Sequence, residues 1–223
     1  MQVDSQQILN VNRWLKPMKF YFSVGIMILT MGWLLYYLND AKKIMLYSWL
    51  LIVTMFFENG LIILQAIRGT TSHYNANTLA DLIIFNFMGF FILMFTISFM
   101  LISIAFFRQK HFFIPDAYVW GIRLGILLFI LFSLEGGLML SLMKHTVGAQ
   151  DGGPGLPLTK WSTQYGDLRI AHFLGLHSLQ LLPLLSNYIA KSKKQIIALS
   201  VIYFVIVMAV FIQALAGRPL IFI

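Results

Sequence analysis

Six long apolar runs constrain this chain more than any other feature. They extend from about Phe20 to Leu38, Ile44 to Ile67, Leu79 to Phe107, Tyr118 to Met143, Arg169 to Ile189 and Gln195 to Leu215. A hydrocarbon core of ~30 Å is crossed by ~20 helical residues, so each run is long enough to span a bilayer. In lipid every backbone N–H and C=O must find its partner inside the protein, which leaves helices or closed barrels. Barrel strands alternate apolar and polar residues, and these runs do not. The expected class is therefore all-α, a six-helix transmembrane bundle forming a single membrane domain over residues 1–223. Composition agrees: 11% of residues are charged and the mean hydropathy is +0.81, whereas soluble domains carry ~25% charged residues.

The formal charge of +8 arises from 16 Lys and Arg against 8 acids. The bases cluster at the ends of apolar runs, where they anchor to headgroups and set topology. The lipid bilayer, and not nucleic acid, is the partner they imply. The absence of cysteine excludes disulfides and thiolate metal sites. No cleavable signal peptide is expected, because the first run is followed by "LNDAKK" and not by a small-residue cleavage site. The short connections "NDAKK", "FRQKH" and "AKSKK" carry bases directly at helix ends, which places them inside. The loops at residues 69–80 and 144–168 then share the outer side with both termini.

An internal repeat runs through the middle of the chain. "DLIIFNFMGFFIL" from Asp81 and "DLRIAHFLGLHSL" from Asp167 share Asp, Leu, Ile, Phe, Gly and the final Leu in register. "LLIVTMFFENGL" from Leu50 and "LLFILFSLEGGL" from Leu127 share Leu, Leu, Glu, Gly and Leu. The unit is helix, loop, helix, at about 44–107 and 118–189, with both copies oriented alike in the membrane. The second loop is nine residues longer, which "DGGPGLP" accounts for. That loop, 144–168, is expected to form a lid. Transporters and bundle metalloproteins both build sites between such repeats.

The chain has two glutamates, Glu58 and Glu135, and both lie inside apolar runs at the same repeat position. A carboxylate in mid-membrane costs several kcal/mol unless neutralised, paired or metal-bound, and is a functional hypothesis by default. Counted at ~1.5 Å per residue, Glu58 lies ~15 Å below Arg68, Glu135 ~13 Å below Lys144 and His177 ~15 Å below Asp167. These three are expected near one depth, with His172 nearer the loop face. His172 and His177 are ~140° apart around a helix, so they flank a cavity without pointing at one atom in the same way. Their repeat mates are Asn86 and Phe91. Gln180 shares a face with His177, and Pro183 removes a backbone donor close by. Asp81 and Asp167 open their helices, where capping is the favoured role. His73, His111 and His145 fall at helix ends as interfacial residues, although His73 and His145 lie on the loop face, where a site mouth would be. "GIRLG" at Gly121 matches small-xxx-small helix packing.

"SHYN" at Ser72, "DGGPGLPLTKWS" at Asp151, "GDLRIAHFLGLHSLQ" at Gly166 and "QALAGRPL" at Gln213 together resemble a family of small bacterial integral membrane proteins. The resemblance covers helices two to six. It implies a bacterial inner-membrane location and no particular chemistry.

Three functions follow from the polar residues. The first is a membrane metalloprotein, an enzyme among its forms, in which Glu58, Glu135, His172 and His177 bind Zn, Fe or Mn. His145, Asn86, Gln180, Asp167, Arg169 and Asp151 are the additional candidates. Against it, no E-x-x-H or H-E-x-x-H spacing occurs. The alternative is a proton-coupled transporter using the two glutamates as carriers, with a homo-oligomer easing the objection that six helices are few for alternating access. The third is a redox protein binding haem through a single axial histidine, or a quinone. The substrate, a small molecule or a lipid, is left open.

Overall fold

Caps set where the helices begin. The computed structural model describes residues 4–221, and among these α1 runs Leu15–Leu35, α2 Ala41–Ile67, α3 Leu79–Arg108 and α4 Asp116–Leu142. The series ends with α5 Leu168–Leu176, α6 Ser178–Tyr188 and α7 Lys193–Leu215. The Asp40 side chain accepts from the Lys43 N–H to cap α2, and Ser192 with Gln195 forms a reciprocal capping box on α7. At α3 the cap is Thr78, which accepts from the Asp81 N–H at 3.1 Å. Asp81 itself stands three residues in, so the expected capping role is corrected: its carboxylate accepts from the Thr78 hydroxyl at 2.6 Å, Arg68 at 2.7 Å and Gln65 at 3.1 Å. Asp167 does cap α5.

The architecture is all-helical, with two two-residue strand pairs among the described residues, Gln7–Ile8 (β1) with Val11–Asn12 (β2) and Thr146–Val147 (β3) with Gly166–Asp167 (β4). Five helices are long and apolar enough to cross a membrane, or six if α5 and α6, bent by 44°, count as one span. The uninterrupted helix expected from Arg169 to Ile189 is thus broken, and the break is at His177 and not at Pro183. Pro183 lies inside α6. At the break Gly175 packs directly on the Phe132 ring, and Ser178 Oγ donates to the Gly125 carbonyl at 3.0 Å, so the chain is drawn onto α4 from both sides of His177.

Apolar side chains also cover the outside. Phe22, Leu29, Phe56, Trp49 and Leu79 are all more than half exposed. In water such a surface would be an aggregation patch, whereas in lipid it is solvated. On α2 the inward stripe reads Tyr47, Leu51, Thr54, Met55, Glu58, Asn59, Ile62, Gln65 and Ala66, a spacing of three and four.

The chain divides into two compact units, Met1–Gln109 and Lys110–Ile223, each containing one of the two segments that are similar in sequence. In the first, α2 packs against α1 and α3. An N-terminal hairpin turns through Leu9 and Asn10, both left-handed, and delivers Arg13 to the Ala66 and Ile67 carbonyls at the C-terminal end of α2. A cation there satisfies orphan carbonyls and complements the helix dipole. At the opposite end Gln109 accepts from Asn39 N–H and donates to the Tyr37 carbonyl, both at 2.9 Å, tying the α1–α2 turn to α3.

In the second unit α4 packs chiefly on α6, and also on α5 and α7. Gly121 and Gly125 make this seam. A Cβ on Gly125 would lie 2.9 Å from the Ser178 carbonyl oxygen, and one on Gly121 would collide with Ser186. The small-xxx-small reading of "GIRLG" therefore corresponds to a close backbone approach. The 144–168 loop is pinned to its unit by the β3–β4 pair, by a bridge between Gly155 and Ser162, and by Trp161 edge-on to Phe173 of α5 at 5.3 Å.

Candidate functional site

Glu58 is placed by the inward stripe of α2 and is 1% exposed, yet among the described residues neither carboxyl oxygen has a hydrogen-bond partner. It lies nine residues before the end of the helix, ~13 Å deep. His73 nevertheless reaches it. The loop after α2 folds back, burying Ser72 and Asn75, and Asn75 holds the bend by donating to the Thr70 hydroxyl and the Thr71 carbonyl, both at 2.9 Å. His73 Nε2 comes to 3.8 Å from Glu58 Oε1. On the other side of the ring, Lys16 Nζ lies 3.1 Å from Nδ1 and Ser72 Oγ 3.0 Å.

That geometry assigns the tautomer. An ammonium donates and cannot accept, so Nδ1 is the acceptor and the ring proton sits on Nε2, facing Glu58. Burial, and then the charge of Lys16, holds the His73 pKa well below its ordinary value, so the ring is neutral at physiological pH. Phe20 flanks the cluster, its ring 5.8 Å from that of His73. The result is a line of three titratable groups, Lys16, His73 and Glu58, running from the loop end into the helix-buried region. A neutral imidazole with a donor on one side and a donor-fed acceptor on the other can pass a proton by changing tautomer.

The second unit repeats the buried carboxyl with different surroundings. Glu135 is 7% exposed on α4, and both its oxygens are without hydrogen-bond partners among the described residues. One turn earlier the Phe132 carbonyl accepts from His172 Nδ1 at 2.8 Å, which fixes the proton on Nδ1 and leaves the lone pair on Nε2. The His172 ring lies against Gly136, where its Cε1 would be 3.6 Å from an added Cβ. His177 does not join this arrangement through Nδ1, which lies 2.7 Å from its own helix's Phe173 carbonyl, with the two rings 4.1 Å apart. Gln180 follows in α6, its N–H on the His177 carbonyl. Asn86, in the first unit, is exposed and donates to Leu82.

The remaining candidates form one network at the loop. Asp151 accepts from the His145 and Thr146 N–H groups, at 3.3 and 2.9 Å, and lies 3.3 Å from His145 Nδ1. Asp167, 1% exposed, receives Arg169 through Nε at 2.9 Å and a terminal nitrogen at 2.6 Å, and Ser162 N–H at 2.9 Å. Burial pushes the Asp167 carboxyl up, but Arg169, Ser162 and His145 together outweigh it and leave its pKa below the ordinary value. The same Arg169 donates to the Lys160 carbonyl. These residues are the loop's anchor.

Among the described residues no three His, Asp or Glu side chains are grouped so as to hold a metal ion. Glu58 belongs to the first unit, and Glu135, His172 and His177 to the second. Sequence reasoning passed over Lys16 and the contact of His73 with Glu58. The available signal was "SHYN", whose serine and asparagine are the buried residues that fold the loop inward. No known protein family, curated protein or solved structure matches the chain.

Proposed function

We propose that this protein is a proton-coupled transporter of a small solute in a bacterial inner membrane, with Glu58 as a proton-exchanging carboxyl and Glu135 as its counterpart in a second copy of one helix–loop–helix unit. The observation that carries this reading is the line Lys16–His73–Glu58. Lys16 feeds His73 Nδ1 at 3.1 Å, and Nε2 stands 3.8 Å from a buried carboxyl with no hydrogen-bond partner among the described residues. The last gap exceeds a hydrogen bond, so transfer requires a small movement or one bridging water.

The same geometry weighs against a metal at this imidazole, because a cation there would sit beside the Lys16 ammonium. The repeat is supported by parallel use of equivalent residues. Glu58 and Glu135 are both buried without hydrogen-bond partners among the described residues, while Asp81 and Asp167 are both buried against an arginine. In this reading α5 and α6 form one broken crossing, and the bases at the short connections keep residues 69–80 and 144–168 on the periplasmic side, where protons enter beside His73. Alternating access by so few helices calls for a homodimer.

The test is proton flux in proteoliposomes, read with an internal pH dye under an imposed gradient. Glu58→Gln keeps the shape and removes the exchangeable proton, so flux should fall at least tenfold, and His73→Ala should do likewise. Wild-type flux in both well-folded variants, or stoichiometric metal in the purified protein that is lost in Glu58→Gln, would overturn the proposal.

A further inference from the structure

We propose that the end of the first unit opposite His73 binds an anionic phospholipid. A crevice of about 280 Å³ lies between the start of α2 and the end of α3 and is lined by Leu38, Asp40, Lys43, Leu101, Ile104 and Arg108. Its charges are two cations and one carboxylate, a net positive mouth. Lys43 is shared with Asp40 at 2.9 Å in a pair that is half exposed on both sides. Such a pair is weak and readily yields its ammonium to a second anion. The crevice is well built, because Gln109, which also lines it, anchors the α1–α2 turn to α3.

The vertical order of the lining matches a lipid and not a soluble anion. Arg108 ends α3 and Lys43 is the third residue of α2, so both cations stand at the helix termini, where headgroups lie. Ile104 and Leu101 precede Arg108 by four and seven residues, ~6 and ~10 Å deeper. Both are more than a third exposed. Tyr47, one turn and ~6 Å in from Lys43, also lines the crevice and offers a phenol donor. A phosphate between Lys43 and Arg108 would leave the ester carbonyls by Tyr47 and the first methylenes on Ile104 and Leu101. A basic pocket between membrane helices is a recognised setting for anionic headgroups.

The experiment uses the full-length purified protein titrated with phosphatidylglycerol in mixed micelles, read by native mass spectrometry and by thermal unfolding. Phosphatidylcholine and inorganic phosphate serve as the other arms. Phosphatidylglycerol should bind and stabilise, and the other two should not. Lys43→Gln and Arg108→Gln should each weaken binding about fivefold and together about thirtyfold, whereas Lys194→Gln, outside the crevice, should not. Asp40→Asn keeps the cap on α2 and removes the one carboxylate that lines the crevice among the described residues, so it should strengthen binding about fivefold. Equal phosphatidylglycerol binding across all these variants would overturn the site. An equal effect of inorganic phosphate would overturn the lipid as its occupant.

Discussion

Replacing Arg169 by Gln should destabilise the second unit severely, through the carboxylate left behind. Asp167 is 1% exposed, and Arg169 supplies its only side-chain cation at hydrogen-bonding distance among the described residues, through contacts of 2.9 and 2.6 Å. Removing one partner of a buried pair costs about 3–5 kcal/mol, because the other charge stays buried without compensation. The Arg169 side chain is 27% exposed, so water takes up part of the loss and the lower figure, about 3 kcal/mol, applies. For a chain of this size that is a fall of about 6–12 °C in Tm. The variant also loses the bond to the Lys160 carbonyl, so cleavage by trypsin at Lys160 should accelerate in step. The decisive comparison is Asp167→Asn with Arg169→Gln. Asparagine still caps α5 and carries no charge, so the double variant should recover to within about 1 kcal/mol of wild type. Thermal unfolding in detergent, followed by tryptophan fluorescence, reads all three proteins. A double variant no more stable than Arg169→Gln alone would refute the uncompensated-charge reasoning and leave lost packing as the cause.

Two further outcomes follow from other parts of the fold. His73 has a depressed pKa, so its contribution to stability is fully present above the ordinary histidine value of 6.5 and is lost as pH falls below it, when the unfolded state takes up the proton first. Lys16→Gln should move the His73 titration back toward the ordinary value and make this acid loss smaller, as histidine ring NMR and unfolding against pH would detect; an unmoved titration would separate Lys16 from the relay. At the α4–α6 seam, Gly125→Ala places a Cβ 2.9 Å from the Ser178 carbonyl and should cost about 1–3 kcal/mol. Gly32→Ala in α1, where a Cβ meets nothing within 4 Å, should be neutral or stabilising by about 0.5–1 kcal/mol. Equal effects of the two in thermal unfolding would show that the seam tolerates a methyl group.

The elements themselves were legible from residue order, since span formation depends on local chemistry. Apolar runs satisfy their own backbones in lipid only as helices, and the expected ends of α2, α3 and α4 fall within three residues of those observed. The burial of Glu58 and Glu135 was legible too, since each sits on a stripe with three-and-four spacing. The true cap of α3 was also present in "TLAD", a threonine three residues ahead of an acid, where Thr78 serves and the Asp81 carboxylate accepts from the Thr78 hydroxyl and from Arg68.

What the tertiary structure decided is every partner across elements. His73 lies in a loop with no periodicity, so no helical wheel could bring it to Glu58. That contact depends on how Asn75 and Ser72 fold the loop inward, and on where the hairpin sets Lys16. The break in the fifth span is of the same kind. Proline 183 advertises a kink in the sequence, but the bend falls at His177, because Gly175 and Ser178 are drawn onto α4. A local signal fixes which backbone groups lack donors, whereas the position of a bend depends on the surface the helix packs against. Local residue order therefore determined the spans and their inward stripes, while contacts between segments distant in the chain determined which imidazole serves which carboxyl, and those contacts are set by loop geometry and close helix packing.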